Sequence, residues 1–136
     1  MEIKQIILAD YANVSREGKL NVLGIFSNIS ARAFPVVHPQ MVLIINWEAG
    51  KTEAGKAKKL EIQLVDDDGK LVMGVGGEVL IPDGRAGHVT KGHYLVPIMG
   101  LRFDKAGEFA FHVSVNGDEK GSAELEVVWL PPKGEK

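Results

Sequence analysis

The sequence predicts an all-β protein, an antiparallel β-sandwich of seven to nine strands, with a closed β-barrel as the alternative closure. Three observations carry this. Apolar and polar residues alternate with period two: Leu60, Ile62 and Leu64 against Glu61 and Gln63, Phe109 to Val115, and Ala123 to Trp129 against Glu124 and Glu126. Each such run is bounded by turn residues. No stretch carries a convincing helical stripe; 49–59, with Gly50 and Gly55 among its lysines, lacks an apolar face and reads as a loop.

Taken in order, Ile3 to Val14 reads as a long strand, followed by the turn Ser15-Arg16-Glu17-Gly18. Gly18 suits the left-handed position that closes a three- or four-residue hairpin loop. Gly18 to Pro35 reads as a second long strand paired with the first, ended by Phe34-Pro35. His38-Pro39 reads as a turn, and Met41 to Glu48 as a strand whose continuous run Met41 to Ile45 implies burial on both faces. Leu60 to Val65 and Lys70 to Val75 flank Asp66-Asp67-Asp68-Gly69, a strong hairpin signal, and Gly76-Gly77 reads as a break or bulge. Pro82-Asp83-Gly84 is a turn by composition. His93 to Phe103, interrupted by Pro97 and Gly100, reads as an edge or bent strand. Glu108 to Val115 and Ser122 to Trp129 form the closing hairpin across Asn116-Gly117. The expected core holds Val22, Phe26, Leu43, Ile45, Leu60, Ile62, Leu64, Phe109, Phe111, Val113, Leu125, Val127 and Trp129. One domain over 1–130 and a tail at 131–136 complete the reading.

At 136 residues the chain is long enough to bury a real core. Its net charge of −2 argues against nucleic acid as a partner. With no cysteine there is no disulfide framework and no thiolate ligand or nucleophile. The opening MEIKQIILAD lacks the basic, apolar and small-residue pattern of a leader, and no run has the length of a membrane span. The expectation is a cytoplasmic protein with no membrane association and no cofactor.

The run KAGEFAFHVSVNGDEKGSAELEV resembles the closing hairpin of immunoglobulin-like sandwiches: a Gly, an alternating aromatic strand, a tight Asn-Gly turn and a last strand. The opening ADYANVSREGKLNVLGIFSNISARAFPVVHPQMVLIINW is similar to that of an uncharacterised bacterial family of small β-sandwich proteins, a domain of unknown function. Ala9-Asp10, Gly18 to Gly24, Phe34-Pro35 and His38-Pro39 carry the likeness. The resemblance implies the sandwich fold and brings no catalytic residue.

Few residues suggest chemistry. Asp66, Asp67 and Asp68 offer carboxylates for calcium, but the 12-residue loop pattern of a calcium site is absent and a solvated turn accounts for them. His88 and His93 lie in one segment and have the donors for zinc, with Arg85 nearby. They lack the His-x-His spacing of a cupin, and surface histidines are the plainer reading. Gly74-Val75-Gly76-Gly77 has no following helix and no Lys-Ser/Thr, so it is no phosphate cradle. No Ser has a Gly-x-Ser-x-Gly setting. The lysines of 51–59 suit a solvated loop guarding an edge, and Trp47 and Trp129 suit core anchors.

The sequence therefore points to no catalytic constellation. It favours a non-enzymatic structural or interaction module, acting as a homo-oligomer (a dimer) or within a larger assembly with another protein. The alternative is a small-ligand or metal-binding protein or a hydrolase built on the 76–92 loops. The dimer reading rests on the first hairpin, which carries apolar residues on both faces. Ile6, Leu8, Leu23 and Ile25 form the expected outward set and the expected interface.

Overall fold

Five consecutive apolar side chains, Met41 to Ile45, are all buried in the computed structural model, which describes residues 1–84 and 88–131. Side chains alternate across a strand, so this run must be enclosed on two sides. It sits in β4 (Val36–Ala49), which pairs on one edge with β1 (Glu2–Val14) and on the other with β7 (Thr90–Phe103). With β2 (Leu20–Ile25) on the far side of β1, these make a four-stranded sheet in the order β2-β1-β4-β7. The second sheet holds β3 (Asn28–Ala31), β9 (Asp118–Trp129), β8 (Gly107–Val115), β5 (Ala57–Val65) and β6 (Leu71–Leu80), in that order. Among the described residues the fold is thus a nine-stranded β-sandwich with open edges, not a barrel. Its pairings are antiparallel except that of β3 with β9, which is parallel.

The main core lies between the sheets. Leu8, Met41, Leu43, Ile45, Ile98 and Phe103 from one meet Leu60, Ile62, Leu64, Phe109, Phe111, Val113, Leu125 and Val127 from the other. Phe103 and Phe109 join them edge to face, with ring centroids 5.1 Å apart. The opposite face of β4 is enclosed as well. Val42 and Ile44 belong to a second cluster with Ala9 and Ala12, against which Ile7, Leu20, Val22 and Leu95 pack. The topology explains how. β1 follows β4 only as far as Ala9 and pairs with β2 from Ala9 to Val14, so the distal hairpin extends past the β4 ladder and contributes Ala12, Leu20 and Val22 to that cluster.

Several elements depart from the sequence reading. Gly18 to Pro35 is not one strand. β2 ends at Ile25, the Phe26 N–H donates to the Leu8 carbonyl at 3.0 Å, and the chain then crosses to the other sheet as β3. The hairpin takes its three-residue loop: Ser15 N–H donates to Lys19 O at 2.8 Å and Gly18 N–H to Ser15 O at 2.9 Å, with Gly18 at φ +85°. His38-Pro39 is no turn but lies inside β4, beyond the end of the β1 ladder at Val42. There Pro39 removes no hydrogen bond from a β1 neighbour. Gly76-Gly77 does not break β6, and the 49–59 stretch contains a short 3₁₀ turn, Lys51–Glu53. The 76–92 segment is therefore not one loop, since β6 reaches Leu80 and β7 starts at Thr90.

The expected core residues are buried, with three exceptions. Phe26 is half-buried against the main core, and Val22 belongs to the second cluster. Trp129 is 53% exposed, because β8 pairs with β9 only to Val127 and leaves the indole overhanging. Its N–H donates to Arg32 O at 3.1 Å. Trp47, by contrast, is buried and stacks on Tyr94 at 5.4 Å. Its ring lies over Gly92, its cross-strand partner, where a Cβ would collide with the indole.

Phe111→Ala is expected to cost about 3–5 kcal/mol in urea unfolding, since a fully buried ring is lost and the cavity only partly collapses. Trp129→Ala, removing an exposed ring, is expected to cost clearly less; the opposite order would show that Trp129 is buried in solution. Gly92→Ala is expected to lower the melting temperature, whereas Gly77→Ala, with open space at its Cβ, is expected to leave it within a degree or two.

Candidate functional site

The three aspartates lie at the β5–β6 turn. Gly69, at φ +79°, supplies the left-handed residue that lets Lys70 turn back along Asp66. Asp66 is the one buried charged residue among those described. Its Oδ1 accepts the backbone N–H groups of Lys70 at 2.8 Å and Asp68 at 3.0 Å. The Lys70 N–H foremost, with the Asp68 N–H and nearby lysine charges, holds the Asp66 carboxyl below its ordinary range. One carboxylate oxygen from each aspartate can be chosen so that all lie within 4.8 Å. The charge at their centre is the Lys105 ammonium, delivered by the β7–β8 turn. Its Nζ stands 3.5 Å from Asp68 Oδ2, 3.6 Å from Asp67 Oδ1 and 3.8 Å from Asp66 Oδ2. Asp67 foremost, then the other two, raise the Lys105 pKa. The corner is a turn clamped by a lysine, and it ties the β5–β6 hairpin to the β7–β8 connection. Sequence reasoning found the aspartates and missed Lys105, which lies 37 residues beyond Asp68.

The histidines do not converge on a site. His88 is exposed, and Arg85 lies outside the described residues. His93 is exposed on β7 and belongs to a polar row across the outer face of the four-stranded sheet: His93 Nδ1 is 2.6 Å from Asn46 Oδ1, and Asn46 Nδ2 donates to Gln5 Oε1 at 3.0 Å. Among the described residues, the aspartate corner is the one group of three or more His, Asp or Glu side chains close enough to share an ion.

The outer face of the five-stranded sheet carries a shallow trough of about 470 Å³, which sequence reasoning did not single out. Glu108, Glu124 and Glu126 line it with Asp67, Asn28 and His112. Glu108 and Glu126 stand directly opposite each other across β8 and β9. Such a like-charge pair costs stability, and water screens it on this open face. The alternation of Glu124 and Glu126 marked this face as polar; the pairing of β8 with β9 brought Glu108 to it.

The expected interface residues separate. Leu8 is buried in the main core and Ile6 packs half-buried against the same core, so neither is an outward residue. The reason is register: Ile6 and Leu8 stand opposite Ile45 and Leu43, whose side chains point between the sheets. Leu23 and Ile25 are outward, at 65% and 68% exposure. They stand opposite Tyr11 and Ala9, and Tyr11 is itself half-exposed. Gly24 between them has φ +70° and lies so close to Asp10 that a Cβ there would collide with its carboxylate.

A family model matches residues 4–128. The chain belongs to DUF6941, a family of unknown function. No curated protein matches it. Among solved structures, a β-glucuronidase from glycoside hydrolase family 2 is similar at 16% identity and TM-score 0.39, over 69% of this chain and 11% of that one. The Pseudomonas fluorescens alkylpurine DNA glycosylase AlkC, bound to DNA containing an abasic site analog, is similar at 18% identity and TM-score 0.42, over 90% and 30%. The chain thus spans less than a third of either protein's length, and likenesses this distant carry no argument about its activity. No helix among the described residues is long and apolar enough to cross a membrane.

Asp66→Ala is expected to lower the melting temperature more than Asp67→Ala, because only Asp66 accepts the turn's N–H groups. A folded-state pKa below the unfolded one gives stability that is present above the ordinary aspartate range and lost as pH falls through it. Asp66→Asn should therefore flatten the acid limb of the melting-temperature profile below about pH 4. An unchanged acid limb would remove Asp66 from that role. Excess chelator should leave the melting temperature unmoved, since Lys105 already supplies the positive charge; a drop of several degrees would mean that a metal binds the folded state.

Proposed function

We propose that this protein is a non-enzymatic interaction module that works as a homo-oligomer, with the outer surface of the β1–β2 hairpin as a contact between copies. The observation that carries this reading is the pair Leu23 and Ile25, more than 60% exposed on an edge strand beside the half-exposed Tyr11. Burying each would gain roughly 1.5–3 kcal/mol, and adjoining exposed apolar residues mark contact surfaces. The hairpin is rigid enough to present them: its inward residues are committed to two apolar clusters, and its turn is closed by two backbone hydrogen bonds. Closed symmetric association is the commonest use of such a patch. The same reading takes the protein as cytoplasmic and of bacterial type, and its closing hairpin as immunoglobulin-like. The absence of cysteine and the sequence resemblance support these.

Light scattering at micromolar concentration is expected to give a mass above that of one chain. Ile25→Lys, alone or with Leu23→Lys, is expected to reduce that mass while leaving the melting temperature nearly unchanged. A monomeric wild-type protein, or a mass insensitive to both substitutions, would end the hairpin reading.

A further inference from the structure

The sandwich has four edge strands, β2 and β7 in one sheet and β3 and β6 in the other. An edge is a row of unpaired backbone donors and acceptors, and proteins guard such rows with short strands, prolines, bulges and cations. Three of the four edges are guarded. β2 has six residues and bends at Gly24, at φ +70°. β3 has four. β7 has fourteen but carries Pro97, Lys91, Arg102 and a left-handed Gly100.

β6 has one irregularity, at Val72, which is skipped where the β5 ladder steps from Leu64 opposite Met73 to Val65 opposite Leu71, and beyond it has none of these devices. It runs ten residues, LVMGVGGEVL, without proline, lysine or arginine, and Glu78 is its one charge. One side is laddered to β5 from Ala57 opposite Leu80 to Val65 opposite Leu71. The other side has no strand partner among the described residues. Leu71, Val75 and Leu80 are 53%, 44% and 65% exposed. Beside the strand, between the two sheets, lies an apolar groove of about 150 Å³ lined by Leu60, Ile62, Val75, Val79 and Val96. A strand laid along β6 would satisfy the free backbone groups and close this groove with every second side chain.

The strand's own sequence says which partner fits. A two-fold axis that keeps inner faces together requires each residue to meet one of the same facing, so a symmetric antiparallel register centres on a single residue. Centred on Val75, it sets Met73 against Gly77 of the second copy, Gly74 against Gly76 and Val75 against itself, a stretch that stops short of the irregularity at Val72. Met73 meets a glycine, the Gly74–Gly76 pairs leave room beside the axis, and no charged residue falls within the paired stretch. We propose that β6 is a self-pairing edge: two copies join antiparallel through β6 about Val75 and fuse their five-stranded sheets into one. This contact is separate from the hairpin surface. With both in use, the assembly is larger than a dimer.

The test isolates the edge in the full chain carrying Ile25→Lys, which disables the hairpin contact. That protein is expected to remain a dimer by light scattering. Adding Val75→Lys is expected to weaken dimerisation at least tenfold, by placing two ammonium groups together at the axis. The matching Val75→Glu protein is expected to behave likewise, and an equimolar mixture of the two to regain the dimer. That recovery shows that both variants are folded. A monomeric Ile25→Lys protein, or a dimer indifferent to charge at position 75, overturns the proposal. If the Ile25→Lys protein is monomeric yet binds a synthetic peptide of the β6 sequence, the edge accepts strands but not from a second copy, and self-pairing is equally overturned. If Ile25→Lys leaves the wild-type mass unchanged while Val75→Lys alone gives monomers, β6 pairing stands and the hairpin contact falls.

Discussion

The burial of β4 on both faces is the constraint from which the rest of the fold follows. Met41, Leu43 and Ile45 need one apolar layer, and Val42 and Ile44 need another. The five-stranded sheet supplies the first. For the second, no α-helix lies across the sheet among the described residues, and the cluster is completed by Ile7, Ala9 and Ala12 of β1, Leu20 and Val22 of β2 and Leu95 of β7. That requirement accounts for the length of β1, whose first half is held by β4 and whose second half is held by β2. It also accounts for the mixed faces of the hairpin, since residues that look surplus to one core serve the other.

The side chains left over after both layers are filled define the surfaces available for partners. Leu23 and Ile25 are turned away from both clusters, and Leu71, Val75 and Leu80 are exposed along β6, Val75 at the mouth of the groove beside Ile62. The polar chemistry is mainly structural. Asp66 spends its carboxylate on two backbone N–H groups, and Lys105 bridges the three aspartates across the end of the sandwich, offsetting one of their charges. Glu53 has a similar part in the 3₁₀ turn. The Met1 ammonium foremost, then the Gly50 N–H and Lys58, hold its carboxyl at about 2, so its charge persists through ordinary acid conditions. The three glutamates of the trough differ from its Asp67, which pairs with Lys105: none of the ion pairs among the described residues involves Glu108, Glu124 or Glu126.

What the sequence by itself determined is local. Period-two alternation set the facing of β5, β8 and most of β9, because each of these strands has one wet face and one core face. Turn chemistry located the hairpins. Asn116 and Gly117 both take positive φ in a two-residue loop, and Gly69 and Gly18 take the left-handed positions their turns require. The uninterrupted apolar run at 41–45 announced two-sided burial. Tertiary structure decided everything that depends on a distant partner. Whether Leu8 faces in or out rests on its pairing with Leu43, and a one-residue slip would have reversed it. The division of 20–31 into β2 and β3 depends on β9 and the residue after it: the Glu126 and Leu130 N–H groups donate to the Ser27 and Ala31 carbonyls across nearly a hundred residues. Pro39 sits in a strand because the β1 ladder has already ended there, and Trp129 is exposed because the β8 ladder has. The edge at β6 exists only because the sheet stops there: nothing in LVMGVGGEVL says that it is outermost, since an apolar, glycine-rich strand reads the same in the middle of a sheet as at its margin.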